Sequence, residues 1–377
     1  MKSILITGGA GFIGTALTRE LLIEGHFVRV IDNLASQVHS NRDATFTSEF
    51  HSHEKFEFYL GDILDKSNLV EALNGIDTVV HLAAETGTGQ SMYEIKKYSE
   101  VNVVGTANLL ESIAEMESPL SRLVISSSRA VYGEGKYQCE LHGDIYPEGR
   151  ETKDMRSGIF EILCPICKNR LILVPSDENS RLMPSSIYGI TKLTQEQMIL
   201  SFGRTHGIST VALRYQNVYG PGQSLSNPYT GILSIFSTRI LNGGSINIFE
   251  DGLESRDFIY ISDVAKMTAL ATLETNNRVE VFNIGSGVST TVLAVIEGLQ
   301  EKLDLKVPIS ISGNFREGDI RHNLANISRF STRFNYSPEV SFENGLELFI
   351  AWVKEQKIHS DKYEESLNEL KSNGMLK

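Results

Sequence analysis

Along residues 1–215, short apolar runs alternate with amphipathic stretches. Ile4-Leu5-Ile6 is followed at once by glycines, and residues 15–24 then place Ala16, Leu17, Leu21 and Leu22 on one helical face. The pattern predicts a strand, a tight turn and a helix. Strand-like runs return at residues 27–31, 56–60, 78–82 and 122–125, and the last three leave into Gly61-Asp62-Ile63, Ala83-Ala84 and Ser126-Ser127-Ser128. Helical stretches at 69–73 and 103–116 separate them. This alternation predicts a Rossmann-type α/β fold, a doubly wound parallel sheet with ligands at the C-terminal ends of its strands.

The domain division follows the same rhythm. A nucleotide-binding domain is expected over residues 1–215, interrupted by an insertion at 134–184, with a smaller substrate-binding lobe over 216–377. Residues 259–273 are expected to return to the first domain. Beyond Trp352, the i, i+4, i+7 spacing of Tyr363, Leu367 and Leu370 predicts a docked terminal helix.

Charge narrows the function classes. The 377 residues carry 47 acidic and 35 basic side chains, a net charge of −12, which argues against a nucleic-acid partner. No window has the apolar length of a membrane span. Met1-Lys2-Ser3-Ile4 enters the first strand directly and leaves no room for a cleavable leader, so a cytoplasmic protein is expected.

Two motifs carry chemistry. Gly8, Gly11 and Gly14 have the GxxGxxG spacing that lets backbone approach a pyrophosphate at a helix N-terminus. Asp32, eighteen residues after Gly14, stands where a carboxylate accepts from a ribose 2′-hydroxyl and repels a 2′-phosphate. NAD is therefore favoured over NADP, although Asp32 also reads as a solvated strand end. Far downstream, Tyr188 and Lys192 are four residues apart, so on a helix they share a face. An ammonium there can lower the phenol's pKa and make it a usable base.

With these motifs stand Asp62-Ile63, His81-Leu82-Ala83-Ala84, Asn102 with Gly105-Thr106, Ser128 before Val131-Tyr132-Gly133, and Asn217-Val218-Tyr219-Gly220. Farther on come Arg256-Asp257-Phe258, Phe282-Asn283-Ile284-Gly285 and Arg316-Glu317-Gly318-Asp319. In this order, over nearly the whole chain, they resemble the extended short-chain dehydrogenase/reductases that act on nucleotide sugars. The resemblance implies that Ser128, Tyr188 and Lys192 are catalytic. It implies cofactor contacts from Gly8, Gly11, Phe12, Ile13, Asp32, Asn33, Asp62, Ile63, Leu82, Ala83, Ala84 and Asn102, besides Tyr188 and Lys192. It implies substrate contacts from Thr86, Ser128, Arg129, Asn217, Arg256, Arg316 and Asp319, with Arg256 and Arg316 on the diphosphate.

The family's dehydratases and decarboxylase have an acidic residue just before Val-Tyr-Gly, where this chain has Ala130. That favours 4-epimerisation over elimination, with a dehydratase or a 4-dehydrogenase/ketoreductase as the alternative and a non-catalytic NAD-binding scaffold as a distant one. Glu85-Thr86 and Gln216 replace a basic residue and a Phe of the galactose epimerases. The stretch from Glu85 to Ser91, together with the insertion, is similar to the dTDP-L-rhamnose 4-epimerase subgroup. That likeness implies interconversion of dTDP-L-rhamnose and dTDP-6-deoxy-L-talose. The family also implies a homodimer built on the helices around 103–116 and 188–205.

The insertion holds all three cysteines, Cys139, Cys164 and Cys167, with His142 three residues after the first. Cys139-x-x-His142 and Cys164-x-x-Cys167 are two ligand pairs with knuckle-like spacing, suited to a closed, structural Zn²⁺. A metal-free dithiol or a Cys164–Cys167 disulfide is the alternative, the latter disfavoured in a reducing cytosol.

Overall fold

The computed structural model describes residues 1–39, 49–225, 227, 229, 231–276, 278–316, 318–356 and 363–377. Seven strands form the central sheet: β1 (Ser3–Thr7), β2 (Phe27–Asp32), β3 (Phe56–Leu60), β4 (Thr78–His81), β5 (Arg122–Ser128), β6 (Ser209–Tyr215) and β7 (Val279–Ile284). Their order is β7-β6-β5-β4-β1-β2-β3, and every neighbouring pair is parallel. β4, β5 and β6 are buried along their whole length, as strands covered on both faces must be. Alternate residues feed two apolar layers. Ile4 and Ile6 pack with Leu17 and Leu21 of the helix Phe12–Ile23, whereas Leu5 and Val79 pack with Leu69, Leu109 and Ile199 on the other face. The chain order reverses at β1, between β2 and β4, and this opens a crevice at the strands' C-terminal ends.

The helix expected at 103–116 has an earlier start and an irregular turn. It runs Ile95–Ser99, a π turn over Glu100–Val104, then Gly105–Ala114. The wider turn buries Asn102 within the protein, and a side chain on Gly105 would collide with Ile63 Cδ1 at 2.5 Å.

The smaller lobe joins Asn217–Tyr219, Ser255–Tyr260 and Ser289–Thr291 in one sheet, and pairs Ile246–Ile248 with Ile309–Ile311. Helices Ile232–Leu241, Val292–Leu303 and Phe342–Glu355 close its core around Tyr219, Phe258 and Phe349. The terminal helix Tyr363–Ser372 docks Tyr363, Leu367 and Leu370 into that core. Residues of the helix Ile261–Leu273, notably Val264 and Met267, pack in the β1 layer instead, and β7 follows directly in the central sheet. Phe330, from the helix Ser328–Phe334, packs edge-on against Phe282 of β7. Among the described residues no helix is long and apolar enough to cross a membrane.

The insertion builds a small unit of its own. Tyr137–Cys139 pairs antiparallel with both Gly143–Ile145 and Ile172–Leu173. Its core is five buried residues, Tyr137, Cys139, Ile162, Cys164 and Leu171.

Candidate active site

Local sequence explains how the crevice is lined. The turn after β1 needs Gly8, which has φ of +69° and whose added Cβ would lie 2.7 Å from Ala83 Cα and N. Gly14 lets the helix Phe12–Ile23 approach, because a Cβ there would meet Gly9 Cα at 2.5 Å. Gly11 caps that helix with extended backbone and no side chain, which leaves the first-turn N–H groups without a side-chain partner. The result is a tight glycine turn at the N-terminus of that helix.

A cleft of about 470 Å³ opens from this turn toward the second lobe. Gly8, Gly11, Phe12 and Ile13 line its floor, Asp32, Asn33, Asp62 and Ile63 one wall, and Leu82, Ala83, Ala84 and Thr86 another. Ser128, Arg129, Tyr188, Lys192 and Asn217 close the far end. Asp32 accepts from Ala10 N at 3.1 Å and Leu34 N at 2.9 Å, and His39 Nε2 lies 3.8 Å away. Burial raises its carboxyl above the ordinary value, opposed by those backbone donors and by His39. Asn33 Nδ2 donates to Asp62 at 2.9 Å and ties the ends of β2 and β3 together.

The helix Ile187–His206 begins at Ser186, whose side chain accepts from Gly189 N, and ends at left-handed Gly207. Tyr188 and Lys192 lie one turn apart in its first half, and Ser91 Oγ accepts from Tyr188 N at 3.0 Å. Burial raises the Tyr188 phenol, while a hydrogen bond with Ser128 and the Arg129 guanidinium pull it down. Lys192 stands one turn from Tyr188 and lines the same cleft. Its Nζ lies 3.5 Å from Ser126 Oγ, and burial lowers its pKa to about 7.

Deeper groups hold this end rigid. Glu196, one turn beyond Lys192, takes a bidentate pair from Arg214 Nε at 3.1 Å and Nη2 at 2.7 Å, and accepts from Ser127 at 2.5 Å. His81 is fully buried between Thr7 at 2.7 Å and Thr106 at 3.0 Å, and burial lowers its pKa to about 3. It is a neutral strut of the sheet.

Four of the expected contact residues stand elsewhere. Asn102 does not line the cleft: its Oδ1 accepts from Glu85 N at 2.7 Å, and its Nδ2 donates to Glu85 O at 3.1 Å and Thr191 at 2.9 Å. It therefore holds the 83–86 wall from behind. Arg256 is also turned inward, because its Nη1 donates to Ser255 O and Arg321 O and its Nη2 to Ile320 O and Asp319 Oδ1. Its expected place on a diphosphate is replaced by a brace on the backbone of 319–321. Arg316 and Asp319 line a smaller recess with Ser186, Met92 and Leu370, which shares Thr88 with the cleft. The Arg316 guanidinium lies 4.8 Å over Phe249, and its buried Nε has no partner. Burial would raise the Asp319 carboxyl, but Arg256, Arg316, Arg129 and Arg150 together hold it below the ordinary value.

The lining also includes residues that the sequence pattern did not single out, among them Gln37, His39, Gln223 and Tyr229. They sit on loops with no periodicity to mark them, and the last two come from the second lobe. Gln216 Oε1, Asn217 Oδ1 and Gln223 Oε1 are buried without a partner beside the cleft. Orphaned acceptors of this kind, in a cleft that the glycine turn also lines, fit a polar ligand with hydroxyl or amide donors. Outside the cleft, Cys139, His142, Cys164 and Cys167 also come together, with their four ligand atoms all within 4.8 Å of one another.

Comparison with known proteins agrees with this layout. The model of the NAD-dependent epimerase/dehydratase family matches residues 4–149 and 168–285. The break falls inside the insertion. The chain is 34% identical over 358 residues to dTDP-L-rhamnose 4-epimerase of Burkholderia thailandensis, covering 94% of this chain and 96% of that one. Among solved structures it resembles UDP-glucuronic acid 4-epimerase of Bacillus cereus in complex with UDP-glucuronic acid and NAD, with a TM-score of 0.77, 28% identity, and 93% and 99% of the two chains covered. It also resembles UDP-glucose 4-epimerase of Thermus thermophilus in complex with NAD, with a TM-score of 0.74, 26% identity, and 94% and 100% covered.

Proposed function

Because the chain belongs to the NAD-dependent epimerase/dehydratase family, we propose that it inverts C4 of a nucleotide sugar through a transient 4-keto sugar. The observation that carries this reading is that Ser128, Tyr188 and Lys192 line one cleft with the glycine turn at Gly8, Gly11 and Gly14. Gly8, Gly11 and the first turn of the helix Phe12–Ile23 would hold a pyrophosphate, Asp32 a ribose, and Lys192 with Tyr188 the nicotinamide end. Bound NAD would supply the hydride acceptor. Tyr188 would take the proton of the C4 hydroxyl and later return it to the same oxygen, with Ser128 hydrogen-bonded to that oxygen throughout. The sugar is both oxidised and reduced, so no net redox results.

Elimination fits less well. Ala130 is apolar and buried where a dehydratase would need its acid. The substrate pair favoured is dTDP-L-rhamnose and dTDP-6-deoxy-L-talose, on the likeness to the Burkholderia enzyme across nearly the full length of both chains. Arg316, with its unpartnered Nε, and Asp319 would anchor the nucleoside diphosphate. The exposed apolar residues Ile95, Val104 and Ile190, on helices that lie side by side, would belong to a homodimer interface.

The test is incubation with dTDP-L-rhamnose, UDP-glucose, UDP-glucuronate and UDP-N-acetylglucosamine, followed by proton NMR of the sugar and by the absorbance of reduced nicotinamide. Inversion at C4 of dTDP-L-rhamnose without accumulation of reduced cofactor is expected. Turnover of UDP sugars alone would move the substrate assignment, and loss of water or net reduction would overturn epimerisation.

A further inference from the structure

The insertion has a chemistry that the epimerase reading does not use. Cys139 Sγ lies 3.4 Å from His142 Nδ1 and 3.6 Å from Cys167 Sγ, and Cys164 Sγ lies 3.5 Å from the same His142 nitrogen. With Zn–S near 2.3 Å and Zn–N near 2.0 Å, a tetrahedron places its sulfurs about 3.8 Å apart and sulfur from nitrogen about 3.5 Å. These three separations match those edges, and all four ligand atoms lie within 4.8 Å of one another. Three thiols and an imidazole drawn this close without a metal would gain only weak sulfur hydrogen bonds.

The backbone is shaped for the same purpose. Cys164 Sγ accepts from the N–H groups of Ile166 and Cys167, and Cys167 Sγ accepts from that of Asn169. Cys164 N donates to Asn169 O at 2.7 Å, Lys168 N donates to Cys164 O at 2.9 Å, and Lys168 takes a left-handed φ of +62° to close the turn. The opposite ligand pair sits at the end of the Tyr137–Cys139 hairpin. All three cysteines are free, and a five-residue core is too small to hold such a unit folded by itself.

We propose that Cys139, His142, Cys164 and Cys167 bind one Zn²⁺, and that this ion makes the insertion a rigid clamp on the 315–326 strip carrying Arg316 and Asp319. The clamp is laid out in contacts. Glu161, beside Ile162 of the zinc unit's core, takes Arg321 Nε at 3.1 Å and Nη2 at 2.7 Å. Arg321 is fully buried, and its backbone N–H donates to Glu134 at 2.9 Å. Arg150 donates to Asp319 O at 3.0 Å and to Glu250 at 2.7 Å. Met155 and Phe160 pack on Phe315, and Ser176 exchanges backbone hydrogen bonds with Leu324 O and Asn326 N at 2.9 Å. The insertion therefore meets the strip at Phe315, Asp319, Arg321, Leu324 and Asn326. With four protein ligands the ion has no open position, so its role is positional.

The metal assignment stands apart from the proposed reaction, whereas the clamp rests on the reading of Arg316 and Asp319 as nucleotide anchors. Elemental analysis of protein purified without chelator is expected to give one zinc per chain. Cobalt exchange is expected to give the intense visible bands of a tetrahedral thiolate site. Cys164→Ser should lose the metal, make residues 134–184 sensitive to protease, and weaken calorimetric binding of dTDP about tenfold while bound NAD is retained. If that variant does not fold, dialysis of the native enzyme against a strong chelator and re-addition of Zn²⁺ give the same comparison. Substoichiometric zinc in the native protein overturns the metal site. Unchanged dTDP affinity after zinc removal overturns the clamp. Native protein that holds zinc and binds neither dTDP nor UDP overturns the nucleotide-anchor reading, and with it the clamp, and leaves the metal site standing.

Discussion

Lys192 Nζ lies 3.5 Å from Ser126 Oγ, one helical turn from Tyr188, with both side chains inside a cleft that holds their pKa values apart from the ordinary ones. Burial raises the phenol above its ordinary value and lowers the amine to about 7.

The roles of the pair are separable. Tyr188→Phe should lower turnover by at least about a hundredfold while NAD content is unchanged, since only proton transfer is removed. Lys192→Ala should lower both turnover and retained NAD. Near-normal turnover in the Phe variant would remove Tyr188 from the mechanism.

The depressed pKa of Lys192 makes a stability prediction with a definite sign. Its folded pKa is about 7 and its unfolded value 10.5, so between these the unfolded chain binds more protons and stability rises with pH. Lys192→Met should therefore raise the unfolding temperature of NAD-free protein most at or below pH 7, and the advantage should shrink toward pH 10. A constant difference across that window would contradict the assignment.

Cofactor choice should follow Asp32. Its carboxylate, fixed by Ala10 N and Leu34 N, would repel a 2′-phosphate. Asp32→Ala should narrow the preference for NAD over NADP by roughly tenfold or more, read as the ratio of dissociation constants. Tighter binding of NADP by the unaltered protein would refute this.

Arg316 and Arg256 should fail in different ways. Arg316→Ala removes an unpartnered, pocket-lining donor and should raise KM for the nucleotide sugar about tenfold or more with kcat and unfolding temperature little changed. Arg256→Met strips donors from three carbonyls and Asp319, and should cost about 2–4 kcal/mol of stability as well. Equal melting temperatures for the two variants would show that Arg256 is no brace.

If Val104 and Ile190 lie in a homodimer interface, the double variant Val104→Arg, Ile190→Arg should halve the mass measured by light scattering while the chain stays folded. Native protein already monomeric at working concentration would rule the interface out.

What was legible in sequence was whatever local periodicity and spacing can carry. Strand runs leaving into Gly61-Asp62 or Ala83-Ala84, and the glycines after β1, are local signals, because a tight turn and a close helix approach constrain the residues that make them. The cysteine and histidine pairs were legible for the same reason, since each pair spans a single turn. Tertiary structure decided everything that depends on which distant groups compete for one donor. Motif position sends Arg256 to a ligand, but the carbonyls of Ser255, Ile320 and Arg321 reach it within the fold. The same holds for Asn102, which the π turn aims at Glu85, and for Lys192, whose pKa is lowered by a burial that no spacing encodes. Spacing places a side chain on an element; the desolvation and the partners that set its chemistry come from the tertiary fold, across 65 residues in the Arg256–Arg321 contact and 187 in the Glu134–Arg321 contact.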